Sequence, residues 1–246
     1  MEYISSTSNQ IVQKLRSLKD KKGRVQHGLM LVEGEKLVRE ALQAGLICSC
    51  LLMEEAFWEK FGFGFVAPRR VIESVSDTKT PQGVLGAFSL PDAMDMQNPP
   101  NRIVALDGVQ DPGNVGAIWR TADAAGFQGL LLGAGCADRF STKVQRASMG
   151  SGLRLPCAET DDLASSLSAL RGKGYTVFAS TLEGGDFYAR RDGGEKFVLV
   201  IGSEARGISD AVKKAADALV KLPMRGGAES LNAAVAAGIM MYEMMR

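Results

Sequence analysis

From Ile103 onward, short apolar runs alternate with segments of helical period, and that alternation restricts the fold more than any other feature of the chain. Ile103–Leu106, Leu130–Leu132, Tyr175–Ala179, Phe197–Ile201 and Ala218–Leu222 read as apolar strands. Helical stretches fall at Val115–Ala125, Lys143–Gly150 and Leu163–Leu170, with a long final helix at Ser230–Met245. Apolar strands separated by helices belong in a parallel sheet covered on both faces. The expected class is α/β, with a C-terminal parallel-sheet domain over residues 102–246.

Ahead of it, Leu90–Asn101 reads LPDAMDMQNPPN, with three prolines and no apolar period. That composition sets a linker at residues 91–101. Residues 1–90 form a second, smaller α/β domain. Asn9–Leu18 places Ile11, Val12, Leu15 and Leu18 on one helical face, Glu33–Ala44 repeats the pattern, and Gly45 stops it. Ile47–Met53 and Val84–Phe88 read as strands.

Several function classes are excluded or disfavoured. A net charge of +1 over 246 residues gives no global signature of a nucleic-acid binder, although local patches remain open. No G-x-x-x-x-G-K-[ST] or G-x-G-x-x-G is present, which disfavours an NTPase or a Rossmann dinucleotide site. No cluster has metal-ligand spacing, and one histidine, His27, argues against a His-based triad. Cys48, Cys50, Cys136 and Cys157 fit unpaired thiols in a reducing cytoplasm. No apolar run reaches the length of a membrane span, and none at the N-terminus reads as a signal peptide.

In open α/β sheets, ligands bind beyond the carboxyl ends of the strands. Three such loops carry polar residues. In the first, Asp111-Pro112-Gly113 makes a turn, Asn114 is placed to cap a helix starting at Val115, and Arg120 follows within two turns. In the second, Gly202-Ser203-Glu204-Ala205-Arg206-Gly207, the glycines let backbone pass close to a ligand. The third runs from Leu222 through Gly226-Gly227 to Glu229-Ser230-Leu231-Asn232, where Ser230 and Asn232 are polar on an otherwise apolar helix and need partners. Taken singly, each loop also reads as a cap, a solvated charge or a satisfied amide.

Together and in this order, the loops resemble the three motifs of the SpoU-type (TrmH-like) RNA 2′-O-ribose methyltransferases. The matching residues are Asp111-Pro112-Gly113-Asn114-Val115-Gly116 with Arg120-Thr121, then Ile201-Gly202-Ser203-Glu204 with Gly207, then Leu222-Pro223-Met224 and Glu229-Ser230-Leu231-Asn232. Glu33-Gly34 and Thr80-Pro81-Gln82-Gly83 are similar to the substrate-binding domain of many ribosomal-RNA members, so the resemblance covers nearly the whole chain. One departure is Ala234, near which a serine is frequent.

The resemblance implies a SPOUT-like fold with a deep trefoil knot and a homodimer. It implies S-adenosyl-L-methionine held by Ser180, Thr181, Ile201, Gly202, Leu222, Met224 and Leu231. Arg120 would be the catalytic residue, with Asn114, Glu204, Ser230 and Asn232 completing the site. Because a guanidinium is effectively never deprotonated, Arg120 suits phosphate grip or oxyanion stabilisation better than base catalysis. Glu204 would hold Arg120 or bind the nucleotide. RNA would be gripped by Lys14, Arg16, Lys19, Lys21, Lys22 and Arg24, with Lys143 and Arg146 serving the catalytic pocket. Ribosomal RNA is the expected substrate; transfer RNA, or a non-catalytic role in RNA assembly, are the alternatives.

Overall fold

The computed structural model describes residues 1–246 and divides them into two compact units. The first comprises Met1–Pro91 with Asp138–Arg154, the second Asp92–Ala137 with Leu155–Arg246.

In chain order the first unit contains β1 (Glu2–Tyr3), α1 (Gln10–Ser17), α2 (Lys21–His27), β2 (Leu29–Glu33), α3 (Glu35–Gln43), β3 (Cys48–Met53), α4 (Trp58–Phe61), β4 (Phe65–Val66), α5 (Arg69–Val75) and β5 (Val84–Ser89). Its sheet is mixed, in the order β1-β4-β3-β5-β2. Val12, Leu15 and Leu18 pack with Val71 and Val75 in one core cluster. Val38, Ala41 and Phe88 belong to a second. The helix of Asn9–Leu18 starts at Gln10, capped by the Asn9 side chain on the amide of Ile11.

The second unit opens with β6 (Arg102–Asp107), α6 (Pro112–Ala125) and β7 (Gly129–Leu132). The chain then returns to the first unit for α7 (Thr142–Ser148) and α8 (Ser151–Arg154). The sequence pattern places these residues in the domain of 102–246 instead. Residues 138–154 are tied there by Thr142 Oγ1 donating to Asp77 at 2.6 Å and by the Arg24–Asp138 ion pair at 2.7 Å, while Leu153 enters the Val38–Phe88 cluster.

The remainder is β8 (Cys157–Glu159), α9 (Leu163–Gly172), β9 (Thr176–Asp186), β10 (Phe197–Gly202), α10 (Asp210–Ala215), β11 (Ala218–Lys221) and α11 (Ala233–Met244). The sheet order is β11-β9-β10-β6-β7-β8, and every pairing is parallel, as the alternation requires. The carboxyl ends of β6 and β10 are adjacent, with Leu106 opposite Ile201 and Asp107 opposite Gly202.

β9 and β11 keep register only to Ala179–Leu219, and pairing resumes at Gly185–Val220. Ser180 to Gly184 therefore bulge out of the ladder. Gly184 is required where the bulge returns, because a Cβ there would lie 2.5 Å from the backbone nitrogen of Val220.

Candidate active site

Two cavities open on either side of the loop that follows β10. The first, of about 400 Å³, is walled by the Ser180–Glu183 bulge, by Ile201 and Gly202, by Leu222 and Met224, and by Leu231 and Met240. The second, of about 460 Å³, lies beyond the ends of β6 and β7 and is lined by Asp107, Gln110, Asp111 and Ala134. Ser203 to Gly207 belong to both walls. Anything seated in one cavity is thus separated from the other by a single loop.

That loop is held tightly. Ser203 and Gly207 exchange backbone hydrogen bonds, the amide of Gly207 donating at 2.8 Å and that of Ser203 at 3.2 Å. A Cβ on Gly202 would lie 2.3 Å from the carbonyl carbon of Gly207, so the turn closes only over glycine. Gly207 sits at φ +65°, in the left-handed region.

Glu204 is the centre of a side-chain network at the tip. Its Oε1 accepts from Asn114 Nδ2 at 2.8 Å, from Asn232 Nδ2 at 2.7 Å and from the amide of Ala233 at 3.4 Å. Asn232 Nδ2 also donates to Asn114 Oδ1 at 3.0 Å. The amide oxygen of Asn232, Oδ1, caps α11, accepting from the amides of Ala234 and Val235. Three polar residues far apart in sequence are thereby joined, and Glu204 Oε2 is left with no partner in the chain.

Asn114 reaches this network because it is not the cap of α6. Asp111 caps it, its Oδ1 accepting from the amide of Asn114, and Pro112 begins the first turn. The sequence expectation put the helix start at Val115. The observed start leaves the Asn114 side chain free for Glu204.

Residues 101–242 match the SpoU rRNA methylase family, and residues 9–86 match the MRM3-like substrate binding domain. The chain is 34% identical over 249 residues to the 23S rRNA (guanosine(2553)-2′-O)-methyltransferase RlmP of Bacillus subtilis (strain 168), covering 99% of both. The chain belongs to the SpoU rRNA methylase family. Among solved structures it is similar to the AdoMet-bound rRNA methyltransferase of Sinorhizobium meliloti, at 33% identity and a TM-score of 0.87 over 99% of this chain and 97% of that one. It is also similar to the SpoU methyltransferase AviRb of Streptomyces viridochromogenes in complex with AdoMet, at 25% identity and a TM-score of 0.84 over 96% and 97%.

Family membership puts S-adenosylmethionine in question, and the first cavity fits it. All seven residues named for the cofactor, Ser180, Thr181, Ile201, Gly202, Leu222, Met224 and Leu231, line that cavity. Its volume lies within the roughly 300–1,000 Å³ of small-molecule sites. Leu222, Met224, Leu231 and Met240 offer an apolar wall for an aromatic base, while Glu204 and Ser230 lie on the same lining.

Arg120 stands apart. It is six residues along α6 from Asn114, about 9 Å of axial rise and roughly 120° round the helix. It is exposed, has no hydrogen bond or ion pair within the chain, and is absent from both linings. The expected Glu204–Arg120 contact is not made: Glu204 Oε1 is held by Asn114 and Asn232, and no bond joins Oε2 to Arg120.

The basic residues divide. Lys21 and Lys22 are exposed. Lys14 donates to Ser49 Oγ, Arg16 to the carbonyl of Ser74, and Lys19 pairs with Asp77 at 3.0 Å. Arg24 contradicts its expected role: it is 4% exposed and donates to the carbonyls of Leu18 and Lys19 and to Asp138. It closes the α1–α2 turn rather than meeting RNA. Lys143 and Arg146, expected at the catalytic pocket, belong to the first unit. Sequence reasoning missed Glu183 and Lys213, which also line the first cavity. The glycine pair Gly184-Gly185, a few residues after the apolar run Tyr175–Ala179, was the signal for the bulge that puts Glu183 there.

Proposed function

We propose that this protein transfers a methyl group from S-adenosylmethionine to a ribose 2′-hydroxyl of RNA, with ribosomal RNA as the substrate. The observation that carries this reading is the Asn114–Glu204–Asn232 network on the wall common to the two cavities. The first cavity suits the methyl donor and the second the acceptor nucleotide. The 34%-identical relative, by its name a 23S rRNA guanosine 2′-O-methyltransferase, and the match to a substrate-binding domain support ribosomal over transfer RNA. Cytoplasmic location follows from that substrate, and no helix is long and apolar enough to cross a membrane.

The bound cofactor supplies an electrophilic methyl group on a sulfonium. The task of the chain is to bring the 2′-oxygen in line with it, an alignment that lowers barriers by roughly 7–11 kcal/mol in favourable cases. Glu204 is held through Oε1, so Oε2 faces one direction and accepts the hydrogen bond of the 2′-hydroxyl. Asn114 and Asn232 fix that carboxylate. Arg120, a permanent planar cation, grips the neighbouring phosphate and balances charge as the 2′-hydroxyl proton passes to Glu204 Oε2.

The protein acts as a homodimer. An apolar stripe of Val235, Ile239 and Tyr242 is exposed on α11 at 51%, 39% and 55%. Surface of that kind marks an interface. Since Arg120 lines neither cavity of its own chain, it completes the site of the partner. The trefoil knot belongs to the same proposal. The chain leaving β11 at the sheet edge turns back so that Asn232 meets Glu204 and α11 packs on α6 and β10, which supports threading of the C-terminal segment.

Mixing the impaired Arg120→Ala and Asn232→Ala chains tests this arrangement. Exchange of subunits restores methyl transfer at one site per mixed dimer if Arg120 acts across the interface. Activity of the mixture no higher than the average of the two variants alone, with subunit exchange verified, would contradict it.

A further inference from the structure

We propose that Lys213 and Glu183 form a clamp for the amino-acid end of the methyl donor; the proposal rests on the assignment of the first cavity to S-adenosylmethionine. Glu183 sits on the five-residue bulge between Ala179 and Gly185, and Lys213 projects from α10. The two pair at 3.1 Å, and both line the cavity. Lys213 also lies 4.0 Å from Asp210, whose side chain is 91% exposed.

Three observations favour this assignment. First, the pair has little value for folding: Glu183 is 74% exposed, and ion pairs of that kind contribute at most about 1 kcal/mol. Second, the bulge that carries Glu183 interrupts the β9–β11 ladder and depends on Gly184, a feature with a cost to the sheet and an outcome only at the cavity. Third, the charges match. The methyl donor ends in an ammonium and a carboxylate on one carbon, and a neighbouring carboxylate and ammonium on the protein are their complement. Glu204, the other carboxylate on the lining, has Oε1 held by Asn114 and Asn232 and Oε2 assigned above to the 2′-hydroxyl, while the Leu222–Met240 wall suits the base.

Calorimetry on the full-length protein separates this from a general effect on the cavity. S-adenosylhomocysteine carries the amino-acid end; 5′-methylthioadenosine keeps base, ribose and sulfur but lacks it. Lys213→Met and Glu183→Gln are each expected to weaken S-adenosylhomocysteine binding about five-fold and to leave 5′-methylthioadenosine unchanged. The double variant should lose less than the product of the two, because the pair acts as a unit. Thermal unfolding of each variant, expected at the wild-type temperature, guards against misfolding. Equal weakening of both ligands would place the clamp on the ribose or base and overturn the proposal, as would no weakening of either. Wild-type protein that bound neither ligand would overturn the cofactor assignment itself, and the clamp with it.

Discussion

Asn232 has two tasks that one substitution can separate. Its Oδ1 caps α11 through the amides of Ala234 and Val235, and its Nδ2 holds Glu204 and Asn114. Serine is as good a cap as asparagine but too short to reach Glu204. Asn232→Ser should therefore melt within about 1 °C of wild type. Asn232→Ala loses the cap as well, a cost of about 1 kcal/mol, which for a chain of this size lowers Tm by roughly 2–4 °C. Both lose the network equally. A hydrogen bond to a charged group is worth about 1.5–3 kcal/mol, so releasing Glu204 should reduce kcat/KM for methyl transfer about 10- to 100-fold. The assays are thermal unfolding and initial rates at saturating S-adenosylmethionine. A serine variant with wild-type kcat/KM would refute the claim that the network positions the reacting groups. A serine variant that melts as low as the alanine variant would refute the assignment of the cap.

Arg120→Ala should leave Tm unchanged, since Arg120 is exposed and unpaired, while methyl transfer to RNA falls by about 10²-fold or more; full activity would remove it from the mechanism. Arg24→Ala should destabilise the first unit by about 2–3 kcal/mol in denaturant titration, because it strands the carbonyls of Leu18 and Lys19 and the Asp138 carboxylate; unchanged stability with weaker RNA binding would return Arg24 to the RNA surface. Val235→Asp should shift sedimentation from dimer towards monomer and reduce activity in parallel. Burial pushes the Cys48 thiol up from 9.0 to about 11, so it should resist alkylation at pH 8 until the protein is unfolded. The sign for stability follows: the unfolded thiol ionises first, so the contribution of Cys48 is complete below about pH 9 and is lost as pH rises towards 11.

The second unit was largely legible because its apolar runs and glycine-punctuated loops leave one arrangement open. Phe197–Ile201 and Leu130–Leu132 can only be interior strands, and the three polar loops then fall at their carboxyl ends. What escaped was decided by packing at a distance. The assignment of Asn114 as a cap failed because Asp111, three residues earlier, starts the helix by accepting from the amide of Asn114 itself, a choice between two good caps that spacing does not make. Arg24 sits in a basic run that reads as solvated surface, and only the α1–α2 turn explains its burial. The return of residues 138–154 to the first unit left no mark in the apolar period, since Val144 and Leu153 would serve either core. The β9 bulge lay beyond the strand read at Tyr175–Ala179, with the Gly184-Gly185 pair as its only trace.

The central claim is methyl transfer to a ribose 2′-oxygen of ribosomal RNA. Its most direct test is incubation of the purified protein with labelled S-adenosylmethionine and unmodified total RNA, followed by separation of ribosomal from transfer RNA and digestion to nucleosides. Label is expected in ribosomal RNA alone, at a phosphodiester that resists alkali in the intact RNA, and recovered after digestion as a 2′-O-methylated nucleoside. Label on a base, label confined to transfer RNA, or none in either RNA despite cofactor binding would contradict it.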